Sequence, residues 1–181
     1  LVKVELGASD TVMGFLIGPA FAVFYALAGI PIARYADRAS RIRIIVAGCL
    51  VWSAFTIATA YATSWQQLAW FRVGVGIGEA AFLAPAYSIL ADYFPVRYRA
   101  RALSLLGLAV YFGQVTGMVT GGLLGPSLGW RDVFVYAGVP GVAIALVAAL
   151  TVREPRRGAM EAGAATREAG AAPMAISRKL R

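Results

Sequence analysis

From Thr11 to Ala33 the sequence carries no charged side chain. Four more apolar stretches follow at short intervals: Ile44 to Tyr61, Leu68 to Ala91, Ala102 to Leu124 and Val133 to Val152. This recurrence constrains the fold more than any other feature. About 20 residues of α-helix, rising ~1.5 Å each, cover the ~30 Å hydrocarbon layer of a bilayer. Backbone polar groups in lipid must be satisfied internally, which a helix does alone. The expectation is an all-α integral membrane protein with five transmembrane helices, about 11–33, 44–61, 68–91, 102–124 and 133–152. Composition agrees, with 14% charged residues and a mean hydropathy of +0.71, against about 25% charged residues in soluble domains.

A net charge of +8 and a pI near 10.2 would suggest nucleic acid as partner of a soluble protein. Here the basic residues flank apolar runs, and topology accounts for them without nucleic acid. Arg34, Arg38, Arg41 and Arg43, then Arg97, Arg99 and Arg101, then every basic residue after Val152 fall at one end of the predicted bundle. Lys3 and Arg131 alone fall at the other. The positive-inside rule puts the basic end in the cytoplasm and residues 1–10 in an extracytoplasmic loop of a multi-pass cell-membrane protein. Ser9 or Asp10 is placed to cap the first helix. Residues 153–181 are charged, alanine-rich and without an apolar face, so they read as a cytoplasmic, largely disordered segment. The chain starts at Leu1 without a signal-peptide pattern, and is expected to be a fragment.

Histidine is absent and Cys49 is the only cysteine, which leaves no metal site, disulfide framework or His-dependent triad to build. No cofactor is implied. No nucleophile–base pair and no pair of intramembrane aspartates is present, so an enzyme is not expected.

The chemistry concentrates in FRVGVGIGEAAFLAPAYSILADYFP, residues 71–95. Ionisable residues within a span are costly and mark a functional interior. Arg72 and Glu79 lie seven apart, two helical turns, and project to one side. Gly74, Gly76 and Gly78 thin the surface between them, so that a helix or a solute can approach. This combination points to a transport pathway. Glu79 suits a proton acceptor, because burial raises a carboxyl pKa and a nearby arginine lowers it; the alternative is a static ion pair that fixes packing. Arg72 reads as a coupling or anion-binding group, or as a side chain snorkelling to the interface. Tyr87, Tyr111 and Gln114 are either cavity-lining hydrogen-bonders or packing residues. Gly113, Gly117 and Gly121 repeat small-xxx-small spacing and predict a close helix crossing or a flexible point in a gating helix. A membrane scaffold or assembly subunit is the competing reading, and it leaves Arg72 and Glu79 unexplained.

Several motifs in order carry a resemblance. ARYADRASRIR resembles the loop motif of the major facilitator superfamily, with Asp37, Arg38 and Arg41 in place, Ala33 and Ser40 at the two usual glycines and Ile42 at a usually basic position. RVGVGIGEA, residues 72–80, resembles its span-four motif. GIPIARYADR, GIGEA, ADYFP and RARALS are similar to the Spinster-like branch. WRDVF and VREP match the two ends of span six, whereas GQVTGMVTGG lacks the proline of the antiporter motif. The resemblance implies a partial N-terminal bundle, spans two to six of twelve. The first helix and the C-terminal half of the same polypeptide would be partners, along with the lipid bilayer. It implies alternating access, proton-linked through Glu79 and Arg72, for a lysolipid or another amphipathic or organic-anion solute. Asp37, Arg38 and Arg41, with Asp92 and Arg97, would form a cytoplasmic gating motif.

Overall fold

The computed structural model describes residues 2–161. Among the described residues the elements are α1 (Val2–Glu5), α2 (Asp10–Ile17), α3 (Pro19–Ala36), α4 (Arg41–Thr59), α5 (Trp65–Ala80), α6 (Leu83–Tyr93), α7 (Val96–Leu128) and α8 (Trp130–Thr151). They make five helical columns long and apolar enough to cross a membrane: Asp10–Ala36, α4, Trp65–Tyr93, α7 and α8. Of residues 153–181, expected to be largely disordered, 162–181 lie outside the described residues, whereas 153–161 are described and held by contacts to α3, α4 and α6.

Serines start three of these helices. Ser9, Ser40 and Ser64 accept from the amides of Val12, Arg43 and Gln67, and thereby satisfy first-turn N–H groups. Asp10 is thus the first helical residue and Ser9 the cap. Two columns are broken. The first divides at Gly18, with Pro19 opening α3. The third divides at Ala81 and Phe82, whose amides bond three residues back, to Gly78 and Glu79. A proline follows each break, and each lacks the N–H that would close the preceding turn.

The helices run further than the apolar pattern predicts. Val96–Arg101, expected in a turn, are the first residues of α7, so only Phe94 and Pro95 separate it from α6. Charged side chains can extend from a helix end that stands clear of hydrocarbon. The glycine- and proline-rich stretch 125–132 also stays helical through Pro126. The chain turns at Gly129 alone, with φ +85°, a conformation that favours glycine.

α4 lies at the centre of the packing, between α5 and α8. A Cβ on Gly78 would stand 2.5 Å from the Trp52 nitrogen, and one on Gly138 would stand 2.5 Å from Ile57. The expected close approach at Gly74, Gly76 and Gly78 is therefore made, against Phe55, Phe21 and Trp52 respectively. α7 is the contrast. A Cβ on Gly113, Gly117 or Gly121 would meet nothing within 4 Å. The crossing expected there is not made within the described chain. Tyr111, Phe112, Met118 and Leu123 are each at least two-thirds exposed, an apolar face that no described element covers.

Candidate functional site

The basic end of the bundle is organised by Arg41, the first residue of α4, which is 1% exposed. Its Nη1 donates to Asp92 Oδ2 at 2.5 Å and to Ser88 Oγ at 2.8 Å, both on α6. Its Nε donates to Glu154 Oε1 at 2.7 Å and its Nη2 to the Pro155 carbonyl at 3.1 Å, both just past α8. Glu154 Oε2 accepts from Ser40 Oγ and from the Ile42 amide. Asp92 Oδ1 accepts from the Gly158 amide at 2.9 Å. A buried ion pair holds only when its remaining donors and acceptors are matched, and here each carboxylate oxygen has a partner. Burial opposes ionisation of Glu154. The Ile42 amide, the Arg41 guanidinium and the Ser40 hydroxyl outweigh it and hold the carboxyl at about 2.

Residues 153–161 are therefore a strap. Arg157 donates to the Ala36 and Ala39 carbonyls at the end of α3, and Tyr93 donates to the Arg153 carbonyl. The sequence pattern brought Arg41 and Asp92 to this cluster. It did not bring Ser88, Glu154 or Arg157, although VREP was visible and Glu154 is the only acid between Asp132 and Glu161. Of the other expected gating residues, Asp37 caps α3 through its backbone and lines a 160 Å³ cavity beside Arg34, Arg41 and Ser88. Arg38 is exposed. Arg97 stays outside the cluster and lies over the Tyr98 ring at 4.6 Å. Arg99 instead closes the end of α6, donating to the Ala91 and Phe94 carbonyls.

Within the third column, Arg72 and Glu79 share no ion pair, so the static pair weighed from sequence is not formed. The Arg72 guanidinium lies 5.1 Å from the Phe134 ring centroid, a cation–π contact to α8. Arg72 also walls a 510 Å³ apolar cavity between α2–α3 and α5, with Val12, Phe15, Phe21, Phe24 and Trp70. Glu79 is exposed and sits one residue before Ala80, the last of α5, at the column's break. Tyr87 lies on α6, past the same break, and is exposed. Tyr111 and Gln114 are exposed on α7, away from this group.

At the far end, residues 2–8 are folded back rather than looped out. Glu5 accepts from Trp130 Nε1 at 2.6 Å and from Arg131 Nη1. Arg131 Nη2 donates to the Ala62 carbonyl, and its guanidinium covers the Trp130 ring at 4.2 Å. Leu6, Leu16, Ala62, Leu68 and Trp130 form the buried cluster beneath. The Trp130 indole hydrogen bond leads in lowering the Glu5 carboxyl pKa; partial burial opposes it, and Arg131 adds to it.

The family model of the Major Facilitator Superfamily matches residues 1–180. The chain belongs to the Major Facilitator Superfamily. As a member of that superfamily it is a multi-pass membrane protein and not an enzyme, and its motifs are Spinster-like. It is similar to a solved bacterial homologue of the human lysosomal transporter Spinster, in an inward-facing, occupied conformation. The TM-score is 0.76 and the identity 39%, over 95% of this chain and 42% of that one. It is 38% identical over 152 residues to an MFS-type efflux pump of Mycolicibacterium smegmatis, covering 83% of this chain and 35% of the relative. It is 34% identical over 139 residues to the 4-hydroxybenzoate transporter PcaK of Pseudomonas putida, covering 75% and 30%. The chain thus spans about a third of the length of the curated relatives it matches.

Proposed function

We propose that the protein, as part of a complete superfamily polypeptide, moves a solute across the membrane by alternating access, and that Glu79 takes up and releases the coupled proton. The observation that carries this reading is the separation of Arg72 from Glu79. Two ionisable side chains on one face of a spanning column, neither in an ion pair among the described residues, are too costly to serve packing alone. Unpaired, they remain available to solute and proton. The break after Ala80 supports the same role, since interrupted spans set transport sites beside irregular backbone.

The solute is an amphipathic or organic anion, a lysolipid being one such molecule. The apolar cavity beside Arg72 supports this, because its walls suit an alkyl or aromatic body and the guanidinium suits an anionic end. A relative named for 4-hydroxybenzoate transport agrees with an anionic solute. The basic end lies in the cytoplasm by the positive-inside rule. There the Arg41 cluster acts as a latch. Asp37 and Arg38, exposed beside it, are the groups a second half of the transporter meets as the pathway closes.

The test is solute flux into proteoliposomes by the intact polypeptide with and without a pH gradient. Glu79→Gln is expected to abolish the stimulation by the gradient, while Arg72→Leu lowers flux of anionic solutes more than of neutral ones. Gradient-driven flux that survives unchanged in Glu79→Gln removes that carboxylate from coupling.

A further inference from the structure

A third cavity, 420 Å³ in volume, opens at the basic end between the last turns of α3 and the first turns of α4, apart from the Arg72 cavity and meeting the Arg41 cluster only at Ser40. Tyr35, Ala39, Ser40, Arg43, Ile44 and Ala47 line it. Its polar groups are unequal. The Ser40 hydroxyl already donates to Glu154, so it has no proton to offer. Arg43 is exposed, and its side chain makes no hydrogen bond or ion pair among the described residues. Tyr35 is 66% exposed with its hydroxyl likewise unengaged. Two free donors therefore border the upper part of the cavity, and one of them is a full positive charge.

Its lower part is different in kind. Ile44 and Ala47 form an apolar floor, and the same helix face continues downward through Val51 and Ala54, both exposed. Residues at i, i+4, i+8 and i+11 of a helix stack into one stripe, so Arg43, Ala47, Val51 and Ala54 run as a charge above an uninterrupted apolar strip. The other faces of α4 are taken by α5 and α8. Among the described residues this stripe is therefore left uncovered. A charged head over an apolar track matches a molecule with an anionic headgroup and an acyl chain, and a free anion would use only half of it.

We infer that this cavity is a binding site for one anionic phospholipid of the surrounding leaflet, with the Arg43 guanidinium and the Tyr35 hydroxyl donating to its phosphate and one acyl chain lying along Ala47, Val51 and Ala54. The lipid is a bound partner here and not the transported solute, because the site shares no residue with the Arg72 cavity. The inference does not depend on what the pathway carries. Basic side chains at a membrane surface attract anionic headgroups, and a planar guanidinium matches a phosphate with two parallel donors.

Native mass spectrometry of the intact polypeptide, with phosphatidylglycerol or phosphatidylcholine of identical chains titrated in, tests this site. Phosphatidylglycerol is expected to be retained about fivefold over phosphatidylcholine, the factor worth one interfacial arginine. Arg43→Gln should remove that preference. Ala47→Trp, which fills the cavity and keeps the charge, should reduce retention as well. Arg101→Gln, an equal loss of charge at the same end, should leave it unchanged. Equal retention of the two lipids overturns the proposal, as does an equal loss in Arg101→Gln. Displacement of the lipid by millimolar inorganic phosphate also overturns it, since that outcome assigns the donors to a free anion. Melting temperatures in neutral detergent, expected to be alike for all variants, show that no loss comes from unfolding.

Discussion

Both ends of the bundle are tied by a charged side chain to a residue more than a hundred positions away, and they are tied in opposite ways. At the basic end Arg41 is 1% exposed and reaches Glu154 across 113 residues. At the far end Glu5 reaches Trp130 across 125 residues, with about half of the Glu5 side chain exposed. The buried cluster has a matched partner for each carboxylate oxygen and shields its charges from water. The open clasp shares one carboxylate between an indole and a guanidinium that solvent also reaches. A buried charge is tolerable only with its whole set of partners, so such a cluster should fail as a unit. An exposed pair is screened and replaceable, and its loss should be absorbed.

The largest effect expected from this contrast is that of Arg41→Leu. Removing the guanidinium leaves Asp92 and Glu154 with unpaired charge at a buried site, a loss of about 3–5 kcal/mol. Unfolding of the detergent-solubilised protein should show that drop. Arg131→Leu, at the far end, should cost about 1 kcal/mol or less. Equal losses would erase the distinction between the two ends.

The next effect is one of pH. Glu154 titrates at about 2 in the folded protein against an ordinary 4.5. A carboxyl whose folded pKa is depressed contributes stability that is fully present above 4.5 and is lost as pH falls toward 2. With a third of the side chain exposed, the contribution is on the order of 2 kcal/mol. Unfolding free energy measured from pH 6 downward, over about three units, should therefore decline. Glu154→Gln should flatten the slope. Glu5 is shifted in the same direction, so a slope that persists in Glu154→Gln and disappears in Glu5→Ala would reverse the assignment and make the far end the acid-sensitive one.

How much of this was legible in the sequence follows a similar divide. Arg41 and Asp92 could be found because they stand in motifs beside apolar runs. Glu154 stands among polar residues past a span, where nothing local distinguishes a strap from a flexible tail. Residues 1–10 misled for the same reason: LVKVELGASD has no amphipathic period, and Leu6 is buried only because Ala62, Leu68 and Trp130 come to it. The glycines give the sharpest case. Gly74, Gly76 and Gly78 read like Gly113, Gly117 and Gly121, yet the first set meets α3 and α4 closely and the second meets open space. Spacing reveals that a helix face is thin and leaves its occupant undefined. Prolines are equally ambiguous: Pro31, Pro126 and Pro140 lie inside continuous helices, while Pro19 and Pro85 follow breaks.

The smallest effect belongs to Glu5→Ala, and it probes the open clasp most directly. Loss of the carboxylate frees the Trp130 indole and one arm of Arg131. Both still reach water, and Arg131 keeps the Ala62 carbonyl. Global stability should then change little. The change should shrink further at about 1 M salt, where the Debye length falls to ~3 Å. Hydrogen exchange should register it locally. The Leu6 and Ala8 amides, which bond back to Val2 and Lys3, should exchange faster, while amides around Asp92 keep their protection. Local opening with an intact opposite end is the behaviour of a region held by few buried contacts. If Glu5→Ala instead loosened the Arg41 cluster, the two ends would be one cooperative unit. Their different burial would then no longer explain how each responds.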